Sequence, residues 1–317
     1  MKKNVKHFFL LTALAAGTIH LANRFVDMTA QMKTILKSQN GEYFESKNGK
    51  IFYTKRGTGA PLLLIHELNP IASSYEWCRV VKKLEKDYTV YTLDLLGCGR
   101  SDKPYLTYTN YLYVQLVTDF IHNVIGGKPD VITTGNSVSI AVLAQNMDKN
   151  LMNRIVAINP PDIHEFEHTP DKFSAVKKTL LELPIVGTFI YNVRTHETNI
   201  AKELRERYFC KPQLVSSKML DAYFEASHMH RSHGKYLMAS MEGHYTDNTI
   251  LHALKKLATP LCIIESRNVP NAVSIADSYA NKNQVIETAY ISNAGLTPQL
   301  EVPDKLLSIV HMFLNNK

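Results

Sequence analysis

The sequence predicts an α/β fold: a mostly parallel sheet covered by helices on both faces, with a helical insert at its carboxyl edge. Three observations predict it. Short apolar runs bounded by turn residues alternate with helical patterns from Pro61 to Leu314, the mark of strands buried on both faces. Between about His164 and Asn248 that alternation gives way to irregular helices rich in His, Tyr and Lys. A chain of 317 residues, 45% hydrophobic and 21% charged, can bury one substantial core with one inserted subdomain. The expected organisation is an N-terminal segment at 1–40, a core at 41–163 and 251–317, and the insert, a helical lid, at 164–250.

In order, Glu42–Ser46 and Lys50–Lys55 flank Lys47-Asn48-Gly49 as a hairpin. Pro61–Ile65 is a buried strand. A helix near Tyr75–Leu84, the strand Tyr88–Leu93 and a helix near Tyr111–Ile125 follow. Asp130–Thr134 is a short buried strand, and a helix begins at Ile140-Ala141-Val142. Strand Arg154–Ile158 ends at Asn159-Pro160-Pro161. Strand character returns at Leu261–Glu265 and Val285–Ile291, and Pro303–Leu314 closes the chain as a helix. Alternating strands and helices of this kind give parallel pairing through crossover connections.

The N-terminal segment carries Lys2, Lys3 and Lys6 before an apolar run from Phe8 to Ala22, lightly interrupted by Thr12, Thr18 and His20. That run is shorter than the roughly 20 residues that span a bilayer perpendicularly. Beyond it, Leu21, Phe25, Met28, Met32 and Ile35 alternate spacings of four and three, which predicts an amphipathic helix. The expected arrangement is a membrane-associated segment running into a surface-lying helix. Cleavage after Ala13-Leu14-Ala15, giving a secreted protein, and a helix docked on the domain are the alternatives.

The formal charge of +7 is concentrated there: residues 1–40 carry +5 and the rest +2. The body has no basic stripe interleaved with aromatics, so no nucleic acid is expected as a partner. Cys78, Cys98, Cys210 and Cys262 form no C-x-x-C pair, which argues against a thiolate metal site. Cys78 and Cys262 fall in apolar patterns and are expected as small buried hydrophobes.

Gly135-Asn136-Ser137-Val138-Ser139 stands between a strand and a helix. It reads either as a serine capping an ordinary helix or as a turn presenting a nucleophilic serine. The second needs small residues two before and two after, because strand and helix nearly touch, and Gly135 and Ser139 meet that need.

Together these segments resemble the α/β-hydrolase superfamily over about residues 41–317, and most closely its lidded branch of esterases, haloalkane dehalogenases and epoxide hydrolases. The resemblance is carried by Leu62-Leu63-Leu64-Ile65-His66, Tyr75-Glu76-Trp77, Asp94-Leu95-Leu96-Gly97-Cys98-Gly99-Arg100-Ser101-Asp102-Lys103-Pro104, the Ser137 turn, and Asn293 to Pro303. The chain is also similar to clostridial-type hydrolases with basic, membrane-seeking N-termini. The resemblance implies Ser137 as nucleophile, with oxyanion amides from Val138 and from Glu67 or Leu68. It implies no cofactor.

The chain departs from the family pattern at three places. Glu67 stands where the family has glycine after the strand-end histidine, adding a side chain beside the oxyanion position. Asn268 aligns with the triad acid and cannot serve as an anion; the same exchange costs about 10⁴ in turnover in a serine protease. Leu296 holds the histidine's place in Asn293-Ala294-Gly295-Leu296-Thr297-Pro298-Gln299-Leu300-Glu301-Val302-Pro303, and loss of the base in a comparable triad costs on the order of 10⁶. His66 or the lid histidines His228, His230, His233 and His244 could replace the base, and Glu265 or Asp162 the acid. Asp94 is expected to be structural, and Cys98 a loop packing residue. His228-x-His230-x-x-His233 does not put three ligands on one helical face, so a solvated polar edge is expected there and no metal.

Two functions follow as expectations. One is a serine-hydrolase-like protein, at best a weak esterase acting on an apolar ester through Ser137. The other is a catalytically silent descendant whose lidded pocket binds a small apolar ligand, or a partner, at the membrane. A different chemistry on the same scaffold still asks for a basic histidine and ranks behind both.

Overall fold

The computed structural model describes residues 2–315, with the side chains of residues 2–6 (Lys2, Lys3 and Lys6 among them), Phe8, Phe9, Leu11, Thr12 and Gln31 outside the described residues. Eight strands form one sheet: β1 Glu42–Ser46, β2 Gly49–Arg56, β3 Ala60–Ile65, β4 Tyr88–Leu93, β5 Asp130–Thr134, β6 Ile155–Ile158, β7 Leu261–Ser266 and β8 Ile286–Ile291, in the order β1-β2-β4-β3-β5-β6-β7-β8. The pairings β1/β2 and β2/β4 are antiparallel and the remainder parallel. Among the described residues, the helices of nine residues or more are α1 Lys2–Gln31, α2 Asn110–Phe120, α3 Val138–Met147, α4 Lys172–Glu182, α5 Val186–Arg194, α6 Ser217–His228, α7 Gly234–Glu242, α8 Ala272–Ala280 and α9 Pro303–Asn315.

Both faces of the parallel strands are apolar, as a doubly covered sheet requires. Leu63, Ile65, Val131, Ala157 and Ile263 pack with side chains of α2 and α3 on one face. The alternate residues Leu62, Leu64, Ile132, Val156 and Ile264 pack against α9 through Leu306, Leu307, Val310 and Phe313 on the other. Period-two alternation thus feeds two cores from the same strands. A buried ion pair braces the loop after β4. The Arg100 Nε donates to Asp94 Oδ2 at 2.7 Å, and the guanidinium stacks on Phe52 at 3.9 Å. Burial alone would raise the Asp94 carboxyl; Arg100 overrides it and holds that carboxyl below the ordinary carboxylate range.

The α/β expectation holds, with local corrections. The Tyr75–Leu84 helix is two short pieces, a 3₁₀ turn Ser74–Trp77 capped by the Ser73 hydroxyl and the helix Val81–Leu84. Cys78 falls between them and is exposed rather than buried, because no apolar face continues through the break. The N-terminal helix ends at Gln31, so Ile35 lies beyond it. No helix among the described residues is long and apolar enough to cross a membrane. The segment between β6 and β7 is helical, including α4 to α7.

Candidate active site

The carboxyl ends of β3, β5, β6 and β7 border a cavity of about 850 Å³. Glu67, Gly135, Asn136, Asp162, Glu265, Asn268 and Leu296 are in its wall, with Glu206, Arg207 and Phe209 from the β6–β7 segment. Ligands of open parallel sheets bind at this edge.

The turn after β5 decides what the cavity sees. Thr134 is extended, and Gly135 then enters the left-handed region at φ +53°. The chain therefore reverses at Gly135, two residues before Ser137, and Ser137 already has helical geometry at φ −66°, ψ −11°. Ser137 is 0% exposed, does not reach the cavity wall, and donates its hydroxyl to the His66 carbonyl at 2.7 Å. The sequence puts a nucleophile at this turn; the structure brings Gly135 and Asn136 to the cavity instead.

Glu67 occupies the space that a side chain at position 135 would enter. A Cβ built on Gly135 would lie 2.9 Å from Glu67 Cγ and 3.1 Å from its Oε1. Tyr208 donates its hydroxyl to Glu67 Oε2 at 2.7 Å, and Asn69 Nδ2 donates to the Tyr208 oxygen at 3.3 Å. Burial pushes the Glu67 carboxyl up to about 7, against the Tyr208 hydrogen bond, which pulls it down. Behind it, burial pushes Glu76 up to about 8, and Gln299 Nε2 donates to it at 2.8 Å. The cavity floor therefore holds a carboxyl that can give or take a proton near neutrality.

The expected oxyanion amides are already used. Leu68 N–H donates to Asn136 Oδ1 at 3.0 Å, while Asn136 Nδ2 donates to the Leu68 carbonyl at 3.2 Å. Val138 N–H turns back to the Gly135 carbonyl, and Glu67 N–H points to Glu76 Oε2 at 3.4 Å. An oxyanion hole needs donors free to meet the developing charge.

The substitute bases fare no better. His66 is fully buried; Leu95 N–H donates to its Nε2 at 3.0 Å, which fixes the proton on Nδ1, and Nδ1–H donates to the Glu67 carbonyl at 2.7 Å. Burial lowers its affinity for a second proton. No histidine is in the cavity wall. His228 is buried, not on a solvated edge, because α6 turns it inward beside Thr195 and Ser227, and burial lowers it to about 4. His230 and His233 are exposed. His244 Nδ1 lies 2.8 Å from Asp247 Oδ2, which accepts from it, and the ring stacks on His168, a cluster outside this cavity.

Asn268 and Leu296 both line the cavity. Asn268 Oδ1 accepts from Asn293 N–H at 3.0 Å, so it ties the two loops together. Asn159, at φ +44°, anchors the Leu296 loop by donating to the carbonyls of Gly295 and Leu296 at 3.2 and 3.0 Å. Glu265 is 0% exposed with neither carboxyl oxygen partnered, and burial pushes it up to about 8. The Asp162 carboxylate caps the turn after β6, accepting from His164 N–H at 2.9 Å. Asn136, Asn159 and Tyr208 were not singled out from the sequence. The only signal for this network was Glu67 itself, a bulky residue where the family has glycine.

Comparison with known proteins agrees with this architecture. The model of the alpha/beta hydrolase family matches residues 59–305. Among curated proteins, the chain is 28% identical over 119 residues to a 2-hydroxy-6-oxo-6-(2'-aminophenyl)hexa-2,4-dienoic acid hydrolase of Metapseudomonas resinovorans, covering 36% of this chain and 41% of that one. It is 27% identical over 110 residues to a soluble epoxide hydrolase of Corynebacterium sp. (strain C12), covering 35% and 38%. These matches span about two fifths of the relatives' lengths. Among solved structures, a serine hydrolase involved in carbazole degradation superposes with TM-score 0.71 at 17% identity, covering 87% of this chain and 98% of that one. A membrane phospholipase A superposes with TM-score 0.69 at 19% identity, covering 99% and 98%. Such identities speak to the fold alone. With the family model matched from β3 to β8 and over the cavity and its loops, the chain belongs to the alpha/beta hydrolase family.

Proposed function

We propose that this family member binds a small molecule in the cavity and is catalytically silent as a serine hydrolase. The observation that carries the reading is Ser137 itself: fully buried, its hydroxyl is committed to a backbone carbonyl, and the cavity wall holds no histidine to deprotonate it. Serine is a weak nucleophile without a base in hydrogen-bond reach. Leu296 at the histidine position and Asn268 at the acid position agree with a degenerate triad, and the spent amides of Val138, Glu67 and Leu68 remove the oxyanion site. The ligand combines an apolar body, facing Phe209 and Leu296, with a donor group for Glu67. Residues 1–40 hold the protein at a membrane surface, since Leu21, Phe25 and Met28 of α1 and Met32 after its end are exposed at helical spacing.

The test is hydrolysis of p-nitrophenyl butyrate by purified wild type and Ser137→Ala. Equal rates at the level of buffer are expected. Turnover well above buffer that vanishes in the alanine variant would contradict the proposal and restore the weak-esterase reading.

A further inference from the structure

Large hydrophobic side chains are not scattered over this surface. Among the described residues nineteen are exposed, and thirteen of them fall within residues 10–32 and 173–193. Isolated exposed hydrophobes are ordinary, whereas clusters mark contact surfaces. Leu21, Phe25 and Met28 on α1 and Met32 just beyond its end continue at spacings of four, three and four, with Met32 80% exposed. On α4, Phe173, Val176 and Leu180 are spaced three and four, with Phe173 83% exposed. Val186, Phe189 and Val193 repeat the pattern on α5. Each helix thus presents one apolar stripe that none of the described residues covers.

The three helices are packed together. Asn23 of α1 donates to the Ile185 carbonyl at the start of α5, and Asn192 of α5 donates to Asn23 Oδ1 at 3.0 Å. Gly187 of α5 closes against the Leu181 carbonyl of α4. They also hold the charge. Residues 1–40 carry +5 and residues 171–195 carry +2; within the latter, Lys177 and Arg194 pair with Glu242 and Lys178 with Glu182, which leaves Lys172 as the exposed cation beside the α4 stripe.

We propose that α4 and α5 join α1 in one surface that seats the protein on an anionic bilayer. The inference rests on the reading of residues 1–40 as membrane-associating and extends it to the helices between β6 and β7. Apolar stripes sink into the headgroup boundary, while Lys172 and the cations of residues 1–40 meet anionic lipid. The membrane contact is therefore a face of the folded protein, built from two regions more than a hundred residues apart in sequence.

The experiment is cosedimentation of the full chain with vesicles of phosphatidylcholine alone, or mixed equally with phosphatidylglycerol. Three pairs of exposed substitutions are compared with wild type: Phe173→Ser with Phe189→Ser, Phe25→Ser with Met28→Ser, and Met147→Ser with Met312→Ser as a control elsewhere on the surface. Wild type is expected to prefer the mixed vesicles, the first two pairs each to lower partitioning at least about tenfold, and the control to leave it unchanged. Circular dichroism melts confirm that each variant is folded. Loss with the Phe25/Met28 pair but none with the Phe173/Phe189 pair would overturn the inference and leave residues 1–40 as the contact. No binding of wild type would overturn both. An oligomer seen by light scattering and broken by the Phe173/Phe189 pair, without vesicle binding, would assign the face to a second copy and overturn the inference.

Discussion

Gly135 and Glu67 make a coupled pair, and their coupling can be measured. In the present chain Gly135→Ser places a Cβ 2.9 Å from Glu67 Cγ on a backbone at φ +53°, so it is expected to destabilise by about 1–3 kcal/mol. Glu67→Gly should relieve the steric part, and a double-mutant cycle in urea should return a coupling of about 1 kcal/mol or more. Strict additivity would mean that Glu67 does not occupy that space. Ser137→Ala, in contrast, removes one hydrogen bond to the His66 carbonyl and should cost about 1 kcal/mol of stability. The composition of the turn was legible in sequence, but its phase was not. Gly135-Asn136-Ser137 fits either a helix cap or a nucleophile turn, and the left-handed torsion at Gly135 shows where the chain reverses. Glycine adopts that torsion without strain, so its presence alone does not say which reading holds.

The strands were read almost to the residue because alternation feeds two cores: Tyr88–Leu93 and Asp130–Thr134 are bounded in the structure as in the sequence. Helix edges were less legible, since Cys78 and Ile35 sit where an apolar rhythm continues after the backbone has stopped. The loop Asp94 to Lys103 shows why the landmarks are there. Arg100 donates to both Asp94 oxygens, to Ser74 Oγ and to Gln39 Oε1. Arg100→Met should therefore cost about 3–5 kcal/mol, since it leaves a buried carboxylate unpaired; a change under about 1 kcal/mol in chemical denaturation would refute that role. The end of the N-terminal segment is also structural. Leu36 is fully buried and its N–H donates to Glu225 Oε2 at 2.9 Å. Removal of residues 2–20 should thus leave the melting temperature within a few degrees, whereas removal through residue 40 should lower it markedly.

At the scale of the whole molecule, three buried carboxyls shape the pH dependence of stability. Burial raises Glu67 to about 7 and Glu76 and Glu265 to about 8, from the ordinary value of 4.5. A carboxyl raised in the folded state binds more protons there than in the unfolded state, so its contribution is complete below pH 4.5 and declines as pH rises toward 8. His66 and His228, lowered by burial, act oppositely below pH 6.5, so stability should fall from pH 6.5 to pH 8, and Glu265→Gln should flatten the fall; a rise with pH across this window would contradict it. Asp94 acts oppositely, its contribution being lost only as pH drops through the low carboxylate range. The family and its sheet were legible because hydrophobic spacing and ordered landmarks encode them over most of the chain. The orientation of Ser137 and the filling of the site by Glu67 were not, since both depend on contacts between residues 67, 135 and 208 that no local pattern records. The most direct measurement is intact mass of the purified full chain after exposure to a fluorophosphonate probe, with Ser137→Ala alongside. No adduct on well-folded wild type is expected. A stoichiometric adduct lost in the alanine variant would show Ser137 to be an activated nucleophile and contradict the silent reading.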